Sequence, residues 1–428
     1  MTPVVELPLP RCACTAVLPL FLLCAALPAQ EKPDEGKALV ARIDAARGKL
    51  PAALAIEGTF AITFEGQPDA RVGGTFRHSY AGADNARHTS SMGEWGDMER
   101  GLTKDLTWEL DPGMGGKVHR GAQAVVTRRY FALLRGASAT QLYREIARTG
   151  TEQVDGREHV VLRMTPAQGK PDTWYVDAET ATVSRIAIML PAPESAALTW
   201  GMDDWIAAQI GFADWKKVDG SLQPGRHTMK MGPATVTYTC TKFDAAFKPD
   251  AEAFTPPAAI LALKNQPEVK EFDDTGKPLH HVVEREAQPV ASVRVKCKPA
   301  EISATLATIL PEVGAYLTSI GAKMTGPPFS RYHAVSDTEV DIEGGMPVAK
   351  PVPGKGRVVA GELPAGKCAR VWHIGPYEKL RESHLALSAW VTQQKGKQRG
   401  APWEVYWTDP GMVPDPAKWR TQLFLPID

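Results

Sequence analysis

Gly326-Pro327-Pro328-Phe329-Ser330-Arg331-Tyr332 returns further along the chain as Gly400-Ala401-Pro402-Trp403-Glu404-Val405-Tyr406, with Gly, Pro, aromatic and Tyr in register. Each copy closes the same series of patterns. Before the first copy, residues 291–296 read as a strand, and Ile302, Leu306, Ile309, Val313, Leu317 and Ile320 follow at helical spacing. Before the second, a strand over 368–373 leads to a helix opened by Pro376, a favoured first-turn residue. Residues 290–428 therefore read as an internal duplication, strand-helix-strand-strand twice over. Pro311 falls inside the first helix and is expected to kink it or start a second one.

Upstream, residues 258–289 lose periodicity and become charged and proline-punctuated, the composition of a linker. His280, His281 and Glu284 lie there, but no third ligand at matching spacing joins them, so no metal site is expected. Residues 35–257 form a second unit. Leu39, Ile43, Ala46 and Leu50 mark one face of a helix, after which the period changes to two. Ile56, Gly58, Phe60, Ile62 and Phe64 alternate with polar or small residues, and the pattern returns at Val160, Leu162 and Met164. Runs at 174–176 and 183–188 flank the turn Asp177-Ala178-Glu179-Thr180, a hairpin signature. The fold class is α+β: one long curved antiparallel sheet over one or two helices, then the duplicated unit.

The apolar stretch at 17–27, VLPLFLLCAAL, is shorter than the roughly 20 residues of a spanning helix and follows Arg11. With Ala25, Ala26 and Ala29 after it, residues 1–29 read as a signal peptide, cleaved after Ala29 or else after Ala26. The mature chain is then exported, periplasmic or extracellular, with no transmembrane segment. Leu23 ahead of Cys24 is a poor context for lipid attachment. Cys240, Cys297 and Cys368 remain, an odd number; the alternatives are three free thiols or one bridge between Cys297 and Cys368. The 49 basic and 49 acidic side chains cancel, which removes the field a nucleic-acid binder needs.

Two resemblances add to this reading. The letters Gly326-Pro327-Pro328-Phe329-x-x-Tyr332, Leu363-Pro364-Ala365-Gly366-Lys367, His373-x-Gly375-Pro376-Tyr377-x-x-Leu380 and Trp403-Glu404-x-Tyr406-x-x-Asp409-Pro410 resemble the GyrI-like, AraC-type effector-binding family. That resemblance implies two βαββ units about a pseudo-twofold axis, with small molecules, often lipophilic cations, bound in the cleft between them. It places the family's buried acid on Glu404 and aromatic walls on Tyr377 and Tyr332, and brings Tyr406, His373 and Trp403 of the same motifs into the candidate site. More loosely, the order of helix, alternating strand, Trp108-Glu109-Leu110-Asp111, Trp174-Tyr175-Val176-Asp177 and Phe212-x-Asp214-Trp215-x-x-Val218-Asp219-Gly220-x-x-x-Pro224 resembles the LolA/LolB-like lipoprotein carriers. It implies an unclosed β-barrel around an apolar cavity, able to hold a second apolar ligand or else packed by a helix with Phe60, Ile62 and Trp108.

The residues themselves leave alternatives open. Glu404 and Tyr406 share one strand face opposite Trp403, and a carboxylate there needs a partner: either a bound cation beside aromatic rings or a neighbouring Arg or Lys. Gly375 and Pro376 are explained by the strand-to-helix turn, and His373 reads equally as a hydrogen-bonded structural residue. No phosphate loop, nucleophile elbow, zinc-protease motif or dinucleotide fingerprint occurs, and no cofactor is implied. The leading expectation is an exported binder of a small lipophilic or cationic molecule. A hydrolase of electrophilic compounds using Glu404 and Tyr377, and an envelope scaffold presenting Trp390 or Trp419 to a protein partner, are the competitors.

Overall fold

The computed structural model describes residues 33–428, apart from 94–95, 113–114, 192–204, 251, 268 and 412. The stretch read as a signal peptide, and Cys24 within it, lie outside the described residues.

Alternation builds the first sheet. After helix α1 (Pro33–Arg47), strands β1 (Ala53–Phe64), β2 (Gln67–Ala81), β3 (Asn85–Ser91), β4 (Asp97–Leu102), β5 (Thr107–Asp111) and β6 (Gly115–His119) run as a meander. Helices α2 (Gly121–Arg135) and α3 (Ala139–Leu142) lead to a second meander, β7 (Tyr143–Val154), β8 (Arg157–Pro166), β9 (Asp172–Asp177), β10 (Val183–Pro191) and β11 (Trp205–Ala213). The short hairpin β12 (Lys216–Val218) and β13 (Ser221–Gln223) precedes β14 (Arg226–Met231) and β15 (Ala234–Asp244). Strands β14 and β15 join the meanders, giving the order β6-β5-β4-β3-β2-β1-β15-β14-β11-β10-β9-β8-β7. The end strands β6 and β7 do not pair, so the sheet is an unclosed barrel. The turn at Asp177 forms as its letters predict: its Oδ1 accepts from the backbone N–H of Glu179 and Thr180 at 3.0 and 2.8 Å.

Helices α1 and α2 lie on one face, where Leu39, Val40, Ile43, Val126 and Leu133 join the strand residues Leu162, Met164 and Trp174. Phe131 of α2 reaches a neighbouring core with Leu54, Phe60 and Phe76. Trp108 corrects the expectation that places it beside Phe60. It is fully buried on the other face, under Ile260 of helix α4 (Ala258–Leu263). Alternation along β5 forces this, because Glu109 next to it bonds Arg100 at 2.9 Å on the helix side. Gly101 makes room for the indole; a Cβ there would meet the ring at 2.3 Å.

The duplication builds the second sheet from β16 (His281–Arg285), β17 (Gln288–Cys297), β18 (Phe329–Val335), β19 (Val340–Pro347), β20 (Val359–Leu363), β21 (Gly366–Ile374), β22 (Trp403–Tyr406) and β23 (Arg420–Pro426). Their order is β16-β21-β23-β22-β18-β19-β17-β20, so each βαββ unit repeats the other and β18 meets β22 at the centre. Residues 281–285, within the stretch read as linker, supply β16, which pairs with β21. His280 stacks on Trp390 at 5.3 Å. Helix α5 (Ile302–Ser319) buries Ile309, Val313 and Leu317, and helix α6 (Leu380–Gln393) buries Leu380, Leu387 and Val391. No second helix starts at Pro311: α5 continues through it as one helix, with Pro311 exposed and the other face anchored by those three side chains. The missing N–H costs about 3 kcal/mol, an amount that burial of three large aliphatic residues offsets. Cys240, Cys297 and Cys368 are free thiols, the last two on β17 and β21, which are not neighbours in the sheet.

Candidate functional site

Where β18 and β22 pair, Ser330 stands opposite Glu404, flanked by Phe329 opposite Val405 and Arg331 opposite Trp403. In the duplicated motif Ser330 and Glu404 occupy the same position, so the pseudo-twofold axis passes through this pair. Tyr332 and Tyr406 are likewise counterparts, and both turn onto one carboxylate oxygen. Glu404 Oε2 accepts from Tyr406 Oη at 2.6 Å, Tyr332 Oη at 3.0 Å and Ser330 Oγ at 3.3 Å. Its Oε1 accepts from His384 Nε2 at 2.8 Å. The carboxylate is only 2% exposed, and a charge buried so deeply persists only with such donors. Burial, then the neighbouring Glu404 charge, holds the phenols of Tyr332 and Tyr406 well above the usual tyrosine range, so both remain donors.

The strand geometry separates the expected residues. Glu404, Tyr406 and Tyr332 face the helix side, where α5 and α6 leave a cleft between them. Tyr377, just ahead of α6, adds a third ring: it meets Tyr406 edge-on at 5.4 Å and donates to the Thr408 carbonyl at 3.4 Å. Its hydroxyl is pushed up to about 12, by burial first and then by Asp409 and Glu404. Trp403 is on the opposite face, fully buried and stacked on Phe424 at 5.2 Å, away from the cleft. His373 does not line the cleft either. Its Nε2 donates to the Pro376 carbonyl at 3.1 Å and its Nδ1 accepts from Ser383 Oγ at 2.8 Å, which locks the turn into α6.

His384 is the residue that sequence reading missed. It sits on α6 four residues after Leu380 and three before Leu387, so a histidine interrupts the apolar stripe. That interruption was the available signal. Its counterpart on α5 is the cleft-lining Leu310, so the fold is symmetric while its chemistry is not.

The cleft opens into a cavity of about 1980 Å³. Beside α2, the first sheet holds a cavity of about 50 Å³. Its helix-side face is also polar. His78, His88, His227, Arg100 and Glu109 lie there, and both ring nitrogens of His78 are buried without a hydrogen-bond partner. The other aromatics considered for a partner surface are engaged internally, Trp390 with His280 and Trp419 against Tyr377 at 4.6 Å.

No helix among the described residues is long and apolar enough to cross a membrane. No curated protein matches the chain. Among solved structures, an EcmrR–DNA complex is 24% identical with a TM-score of 0.33 over 35% of this chain and 57% of that one, so this chain spans little more than half of EcmrR. A DUF1329 family protein from Desulfovibrio piger is 14% identical with a TM-score of 0.38, over 53% of this chain and 98% of that one. A LolA superfamily protein from Nitrosomonas europaea is 12% identical with a TM-score of 0.37, over 52% of this chain and 97% of that one. The model of the GyrI-like small molecule binding domain matches residues 280–428, the span that holds the paired βαββ units and the Glu404 cleft. Over that span the chain is similar to the GyrI-like small molecule binding domain.

Proposed function

We propose that this protein is an exported binder of a lipophilic small molecule carrying a cationic group, held in the cleft with its charge at Glu404. One observation carries the reading: a carboxylate almost wholly withdrawn from water stands on the pseudo-twofold axis at the base of a large cavity. Three tyrosine rings surround it, and each ring face would add ~0.5–2 kcal/mol for a desolvated cation. His384 already contacts one oxygen, so an incoming cation takes over a place that a histidine N–H holds. Export rests on the apolar stretch at 17–27. A scaffold with a filled cleft fits poorly with so much open volume.

The test is titration of the mature protein with a lipophilic cation such as tetraphenylphosphonium, alongside Glu404→Gln. Saturable binding at one site, weakened more than tenfold by the variant, supports the reading; equal affinity for both proteins removes it. A second reading draws on the His384–Glu404 contact, since an imidazole bonded to a carboxylate at a cavity wall can move protons. Turnover separates the two: a binder saturates, whereas a hydrolase goes on consuming an ester or epoxide substrate and stops with Glu404→Gln.

A further inference from the structure

The cavity over Glu404 is bounded on its far side by the first sheet. Ile62 and Phe64 at the end of β1, Met92 after β3 and Met98 on β4 all line it. Each is only partly buried, so the rim of the open barrel presents half-wet apolar side chains to the cleft of the second domain. From the other side Leu310 of α5 and Leu385 of α6 face the same space, and Leu385 is 63% exposed. The two walls meet where Gly96 and Pro112 approach the α5–β18 loop; a Cβ on Gly96 would stand 2.8 Å from Lys323 Cε. A site of about 1980 Å³ also exceeds the roughly 300–1,000 Å³ that encloses a drug-sized ligand.

We infer that the rim of the first sheet is the second wall of the ligand site, and that the ligand class is an amphiphile: a compact cationic head at Glu404 and an unbranched alkyl chain running to Ile62, Phe64, Met92 and Met98. This rests on the proposed function and extends it. The head is set by charge and hydrogen-bond chemistry in the second domain, and the chain length by apolar area in the first. Methionines suit that role, because their flexible thioethers repack around chains of different length.

The experiment uses the mature protein and alkyltrimethylammonium ions of increasing chain length, from butyl to dodecyl, below their micelle concentrations. Each methylene brought against the walls should tighten binding by about fourfold, the effect of one buried CH₂. Met98→Ser and Ile62→Thr, both at partly exposed positions, should leave butyl binding unchanged and flatten the increments for the longer chains. Glu404→Gln should weaken every length by the same factor. Increments that are identical in the wild type and the rim variants, with Glu404 dependence intact, overturn this inference alone. If no member binds, or if Glu404→Gln changes nothing, the proposed function falls and this inference falls with it.

Discussion

The chain buries polar groups on the helix-side face of both sheets, and the two burials differ. In the first sheet, α2 occupies the concavity, the cavity beside it measures about 50 Å³, and His78 has no hydrogen-bond partner for either nitrogen. In the second, the two helices stand apart over the central strands, about 1980 Å³ stays open, and Glu404 accepts from four donors. A satisfied charge at the base of an open cleft can exchange one partner for a ligand at small cost. An unsatisfied neutral group in a filled interior can only be tolerated, and its protonation would leave a buried charge without a counter-ion. The buried carboxylate at an open cleft and the buried histidine without a hydrogen-bond partner thus lie in different domains.

Acid should reveal this difference most strongly. Burial depresses His78 to about 4 and His227 to about 3, against about 6.5 in an unfolded chain. The stability associated with their neutral forms is complete above pH 6.5 and is lost as pH falls below it, at about 1.4 kcal/mol per pH unit for each histidine. By pH 5 the first domain should have lost about 4 kcal/mol, read by hydrogen exchange of the β2 and β14 amides. Uniform loss across both sheets would abolish the contrast.

Glu404→Gln comes next, with lipophilic-cation affinity falling more than tenfold, about 1.4 kcal/mol, while the domain stays folded. Calorimetric titration measures the first and thermal unfolding the second. His384→Leu, which copies its counterpart Leu310, should act in the opposite sense. Removing the imidazole frees one carboxylate oxygen, so cation binding should tighten by about three- to tenfold while stability drops by about 1–3 kcal/mol. Weaker binding in that variant would mean that His384 holds the carboxylate in place for the ligand and does not compete with it. His373→Asn should have the smallest effect on binding, within about twofold, because its bonds to Pro376 and Ser383 stabilise the turn outside the cleft.

Much of this was legible beforehand, and particular residues show why. The motif ending at Tyr332 and repeated at Tyr406 announced the duplication, because each copy must turn from helix to central strand in the same way. Period-two alternation fixed the faces, so Glu404 and Tyr406 were separable from Trp403 before any coordinates. The same rule did not place Trp108. Alternation says that Trp108 and Glu109 point to opposite sides, but that the Trp108 side is covered depends on Ile260 of α4, far along the chain. Residues 281–285 were hidden by their charge, since an edge strand beside β21 needs only one dry face.

By itself the sequence determined the two-part organisation and the paired βαββ units, because these follow from local periodicity and a repeated motif; that Glu404 is the buried acid came from the family resemblance. Tertiary structure alone decided what meets that acid. His384 reaches Glu404 because α6 packs on β21 and β23, the strands beside β22, and Ile62, Phe64 and Met98 line the same cavity because the rim of one sheet borders the cleft of the other. A pattern along the chain records which side of an element is dry. It does not record which other dry surface lies opposite, because that depends on packing between segments hundreds of residues apart.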